Sequence, residues 1–103
     1  MIDGLIAGRL ASTPERRIGK ADSHYVIAKL KAHAADGEAY LVNVIAFDHG
    51  VAKELLSAHE GDSVALSGSL TPKVWIDKQG VSRAVLDMVA QRMLSLEPDV
   101  SRS

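Results

Sequence analysis

Apolar and polar positions alternate along most of this chain, with one short interval at helical spacing. In 2-IDGLIAGRLA-11, Ile2, Ile6 and Leu10 share one parity, and Leu5 and Ala7 are apolar on the other. This predicts a strand with both faces covered, with Gly4 and Gly8 marking a bend or a close backbone approach. The segment 12-STPERRIGKADS-23 is polar, with Pro14 and Gly19, and reads as a loop or loose hairpin. In 24-HYVIAKLKAHA-34, Val26, Ala28, Leu30 and Ala32 alternate with Ile27, Lys29, Lys31 and His33, a half-buried strand with a basic outer face. Asp36-Gly37 is a hairpin signal. The return strand, residues 39–47, is apolar on both faces: Val42, Val44 and Ala46 on one, Leu41, Ile45 and Phe47 with Asn43 on the other.

The period then changes. In 48-DHGVAKELLSAH-59, Val51, Ala52, Leu55 and Leu56 fall at helical spacing behind Asp48, a good N-cap residue, and Gly61-Asp62 is the expected stop. Strand character returns at 63-SVALSGSL-70, with Val64, Leu66, Gly68 and Leu70 facing inward. Pro72 is expected to interrupt pairing, and residues 73–77 continue extended, with Val74 and Ile76 on the core side and Lys73, Trp75 and Asp77 on the other. A turn at 77-DKQG-80 leads into a long, bulged last strand, 81–96. Three strands, a short helix and two strands is the order of a five-stranded Greek-key OB-fold barrel, an all-β class with one helix between strands three and four. The expected domain is residues 1–96, followed by a short flexible tail, 97–103.

Composition narrows the function. The chain has 103 residues, 47% of them hydrophobic, which suits one compact domain. With no cysteine, disulfides and thiolate metal sites are excluded. The N-terminus lacks the pattern of a secretory signal, and no apolar run approaches the roughly 20 residues of a membrane span, so a cytoplasmic, non-membrane protein is expected. Net charge is −1, but residues 1–35 carry six Lys/Arg against three acidic residues while the remainder carries six against ten. A basic half is a candidate anion footprint. His24, His33, His49 and His59 have no metal-ligand spacing, and no nucleophile elbow or phosphate-cradling glycine loop occurs. Neither an enzyme nor a metal or other cofactor is expected.

At 44-VIAFDHGVAKELLSAHEGDSVALSGSLTPKVWIDKQGVSRAVLDMVAQRM-93 the chain resembles the bacterial single-stranded DNA-binding protein family. The features are a strand ending in Phe47, the helix VAKELL, the strand EGDSVALSGSL, the Lys-x-Trp-x-Asp hairpin at Lys73–Asp77 and the turn KQG. The opening IDGLIAGRLASTPERR is similar to the family's first strand and turn. The resemblance implies sequence-independent binding of single-stranded DNA, in replication, recombination or repair, by stacking on aromatics along a positive surface. It also implies a homo-oligomer, with a tetramer preferred over a dimer, and replication proteins as further partners. Trp75 and Phe47 match the family's aromatics, whereas Leu41 stands where the family commonly has one, and the second-strand aromatic is missing or replaced by His33. The family's acidic C-terminal tip is absent. In length the chain is similar to the primosomal replication protein N branch.

The candidate DNA-binding residues are therefore Trp75, Phe47, Lys73, Tyr25, Lys29, Lys31 and Arg83. Aromatic stacking is blind to sequence because every base has a π-face. Tyr25 shares parity with Lys29 and Lys31, an aromatic-and-basic stripe. The residues alone leave a structural role open for Trp75, packing against a neighbouring subunit or capping the barrel. They also leave open an OB-fold module that binds protein, or serves a primosome as an accessory, with weak or no DNA binding. Strand one, apolar on both faces, is the expected oligomer contact.

Overall fold

The computed structural model describes residues 2–95, apart from the side chains of Trp75, Arg83 and Ser95. Its strands are β1 (Ile2–Leu10), β2 (Glu15–Ile18), β3 (His24–His33), β4 (Ala39–Ala46), β5 (Ser63–Ile76) and β6 (Ser82–Ser95), with helix α1 (His49–Leu56) between β4 and β5. The sheet order is β1-β5-β6-β4-β3-β2. A further antiparallel pairing, Arg9 with Lys31 and Leu10 with Leu30, returns β1 to β3 and closes the barrel. This is the expected all-β OB-fold with one strand more. Glu15–Ile18 pairs antiparallel with β3 where the sequence suggested a loop or loose hairpin, and its residues are all exposed. ERRI has no apolar alternation, so pairing, which periodicity does not report, makes it a strand. The expected flexible tail, 97–103, lies outside the described residues.

The barrel is filled by one parity of each long strand. Val26, Ala28 and Leu30 on β3, Val42, Val44 and Ala46 on β4, Val64 and Leu66 on β5, and Met88 and Ala90 on β6 are all buried. Helix α1 covers one end of the barrel with Val51 and Leu55, each worth about 1.5–3 kcal/mol of burial. Asp48 caps it as expected, its carboxylate accepting from the Val51 N–H at 3.1 Å. The helix ends earlier than Gly61-Asp62. At Leu56 it tightens, with Ser57 N–H donating to the Glu54 carbonyl and Ala58 N–H to the Leu55 carbonyl.

Two glycines allow strands to cross closely. A Cβ on Gly8 would strike the Lys31 carbonyl where β1 swings from β5 to β3, and one on Gly68 would strike the Val89 carbonyl. The second site is a bulge: Ser67 pairs with Arg92 but Gly68 with Ala90, leaving Gln91 as the extra residue on β6. The bulge expected in the last strand is thus present.

Two expectations for the β5–β6 hairpin are corrected. Pro72 does not interrupt pairing; it lies opposite Leu86 in a continuous strand. Val74 and Ile76 do not enter the core; they are 72% and 64% exposed. The reason is where the neighbouring strands stop. β1 accompanies β5 only to Leu70, and β4 accompanies β6 only from Val85. Among the described residues, the hairpin beyond these positions is a two-stranded ribbon with no buried core residue beneath it. Its turn is set by Asp77, whose Oδ1 accepts the N–H of Gln79 and Val81 at 2.9 Å each, and by Gly80 at φ +80°.

Candidate nucleic-acid interface

The register of four strands builds one outer face. Antiparallel pairing sets Lys29 beside Asn43, parallel pairing sets Asn43 beside Asp87, and antiparallel pairing sets Asp87 beside Thr71. The row on one side reads Lys31, Leu41, Val85, Lys73, and the row on the other reads Ile27, Ile45, Val89, Ser69. Core residues occupy the opposite parity of the same strands, so these rows must point away from the barrel. The central row, the Ile27, Ile45, Val89, Ser69 row and Lys73 line a cleft of about 850 Å³. Its centre is polar and its flanking row is apolar, with Ile27 and Ile45 half-buried and Val89 38% exposed.

At one end of this face the Tyr25 and Phe47 rings meet, with centroids 5.9 Å apart and planes tilted by 48°. Tyr25 is half-buried, and Phe47 is 58% exposed, just beyond the end of β4. An aromatic backed by another aromatic, with one face open to water, is pre-positioned for a flat, apolar partner. At the other end, β5 and β6 set Trp75 directly opposite Arg83. Both residues continue the parity of Lys73 and Val85; their side chains lie outside the described residues. Lys29 and Lys31 are exposed, as the basic outer face of β3 requires.

Lys73 is not free. Its Nζ lies 2.6 Å from Asp87 Oδ2, and Asp87 Oδ1 accepts from Asn43 Nδ2 at 3.2 Å. The hydrogen bond from Lys73 holds the Asp87 carboxyl below its ordinary range, against the opposing effect of burial and with help from Asn43. Sequence reasoning placed Asn43 on this face but missed Asp87. Its parity with Val85 and Val89 was available; the parallel register that brings it to Asn43, across 44 residues of chain, was not. Arg17, in the segment expected to be a loop or loose hairpin, also lines the cleft, paired to Glu15 at 2.9 Å.

A second hollow, about 540 Å³, opens on the reverse of the ribbon among Leu5, Ala7, Ala32, Tyr40, Pro72 and Val74. Leu5 there is 72% exposed.

An OB barrel with an aromatic and basic face across β3, β4, β5 and β6 defines a class, the oligonucleotide-binding proteins. Within that class the sequence matches the model of the single-strand binding protein family over residues 1–96, so the chain belongs to that family, whose members bind single-stranded DNA. A small single-stranded DNA-binding protein from Streptomyces coelicolor superposes with a TM-score of 0.72 at 25% identity, covering 99% of this chain and 97% of its own. The mitochondrial single-stranded DNA-binding protein Rim1 of S. cerevisiae has the same fold, with a TM-score of 0.68 at 18% identity over 93% of this chain and 95% of its own. So has the Plasmodium falciparum protein solved in complex with single-stranded DNA, with a TM-score of 0.69 at 13% identity over 94% of this chain and 96% of its own. No curated protein matches the sequence.

Proposed function

We propose that this protein binds single-stranded DNA along the outer face of β3, β4, β6 and β5, without regard to sequence, as a replication, recombination or repair factor in the cytoplasm. The observation that carries the reading is the continuity of that face. The aromatic pair Tyr25–Phe47, an apolar floor, Lys29 and Lys31, and the Lys73 end of the ribbon follow one another across adjacent strands in a single register. In this reading bases stack on Phe47, beside Tyr25, and on Trp75, while Lys29, Lys31 and Arg83 contact phosphates and Lys73 lies on the same path, paired to Asp87. The role is binding, with no reaction. Among the described residues no helix is long and apolar enough to cross a membrane.

The assembly is a homo-oligomer, a tetramer in preference to a dimer, with β1 in a contact. What supports this is the exposed apolar surface on β1, where Ile2 is 55% and Leu5 72% exposed, next to the hollow on the reverse of the ribbon. Sedimentation equilibrium at micromolar concentration tests it, and a monomer would refute it. Replication proteins are the class of partner this role implies.

Titration with oligo-dT tests the binding reading. Trp75 is the only tryptophan in the chain, so its emission reports on one place in the proposed path. Quenching that saturates, and that a duplex of the same length does not reproduce, is the expected result. Absence of any oligo-dT binding by quenching and by mobility shift would overturn the reading.

A further inference from the structure

The cleft is poorer in usable positive charge than its cations suggest. Arg17, Lys29 and Lys73 line it. Two of these already have a carboxylate partner: Arg17 has Glu15 at 2.9 Å and Lys73 has Asp87 at 2.6 Å. Among the described residues Lys29 has none.

The two pairs differ in kind. Arg17 and Glu15 sit two residues apart on the exposed strand β2, with side chains 53% and 62% exposed, a solvated pair that an arriving phosphate breaks at little cost. Asp87 is built in. Strand pairing fixes it in the middle of the face, its side chain is 33% exposed, and both of its oxygens are engaged, by Lys73 and by Asn43. Ionised there, it neutralises the lysine beside it and repels any phosphate that approaches the same floor.

We infer that Asp87 is an affinity-limiting residue of the DNA cleft: it competes with phosphate for Lys73 and keeps that lysine out of the set of counterion-releasing contacts. The inference rests on the binding reading above and adds to it a residue that opposes binding. Binding is thereby weaker and less salt-sensitive than a count of cations on the face would give.

The test is the isosteric substitution Asp87→Asn, which keeps the shape and one carbonyl acceptor but removes the charge and the second acceptor. Oligo-dT affinity is measured across a salt series for the wild type, Asp87→Asn and Asp87→Ser. Glu54→Gln, which changes net charge equally from the exposed side of α1, serves as control. Both Asp87 variants should bind roughly threefold or more tightly at low salt, within what a partly exposed charge contact commands. Their log K against log salt should steepen by about 0.7, one further phosphate contact on a single strand. Adding Lys73→Ala to Asp87→Asn should return both quantities to wild type, and Glu54→Gln should change neither. Unchanged or weaker binding by folded Asp87 variants, or an equal gain in Glu54→Gln, overturns the inference and leaves the binding reading intact. A wild type that binds no oligo-dT removes both.

Discussion

The rings of Tyr25 and Phe47 lie 5.9 Å apart although 22 positions separate them, because antiparallel pairing of β3 with β4 brings the start of one strand to the end of the other. Tyr25 meets Phe47 at a tilt, and Phe47 remains 58% exposed. The pair therefore separates two effects that mutation usually mixes.

Phe47→Ala should weaken oligo-dT binding by about 1–3 kcal/mol, the range for loss of one stacking aromatic. Because Phe47 is 58% exposed, the thermal midpoint should move little. Tyr25→Phe should keep both affinity and stability, since the ring contact survives. Equal affinity for wild type and Phe47→Ala in a fluorescence or anisotropy titration would remove Phe47 from the path.

Trp75 has two roles open to it, and one variant distinguishes them. As a stacking platform, Trp75→Ala loses about 1–3 kcal/mol of oligo-dT binding, and Trp75→Phe retains much of it. As a subunit contact, Trp75→Ala loosens the oligomer or lowers its melting temperature, since truncating a buried Trp costs about 3–5 kcal/mol. Trp75 continues the parity of Lys73, on the side of the hairpin opposite Val74 and Ile76, so the stacking outcome is expected. Unchanged affinity with lost stability is the contrary result.

Gly68→Ala is expected to destabilise the fold rather than impair binding directly. Its new methyl would meet the Val89 carbonyl across the bulge, a backbone atom with little freedom to retreat. Overpacking of this kind costs typically about 1–3 kcal/mol. Gly37→Ala serves as a contrast: a Cβ there meets nothing within 4 Å, and only its φ of +87° opposes the substitution. A urea midpoint for Gly68→Ala equal to that of wild type would contradict the close approach.

Asp87 links stability to acid. Its carboxyl is held below the ordinary value of 3.8, chiefly by Lys73, so the folded state favours the ionised form. The stability this gives is fully present above the unfolded value and is lost as pH falls through the lower folded one. Wild type measured against Asp87→Asn should show a constant difference from neutral pH down to the unfolded value, then a decline in wild type's relative stability below it. Denaturant midpoints near neutral pH and near pH 3 check this; a difference that does not change between them would place Lys73 away from Asp87 in solution.

Much of the barrel was legible in local pattern. Alternation in β3 marked Val26, Ala28 and Leu30 as the covered face, and all three are buried, because a strand with one covered face must repeat every two residues; β4, apolar on both faces, left the choice open, and the structure buries Val42, Val44 and Ala46. Helical spacing with Asp48 before it gave α1 and its cap, since both signals lie within one short stretch of chain. Asp36-Gly37 marked the β3–β4 hairpin for the same reason. The same alternation failed at Val74 and Ile76. It reports which residues share a face, not whether anything covers that face, and only the end of β1 at Leu70 and of β4 at Val85 shows that nothing of the barrel does.

The candidate site divides along the same line. Sequence alone determined its ingredients, an aromatic-and-basic parity on β3, Phe47 after β4, and Lys73 with Trp75 in one hairpin, because residue type and parity are local properties. Tertiary structure alone decided their arrangement. Parallel pairing of β4 with β6 carries Asp87 to Asn43 and into reach of Lys73, and β3–β4 pairing carries Tyr25 to Phe47. Register between strands distant in sequence is fixed by which apolar sets share the core. It therefore exists only once the barrel has closed.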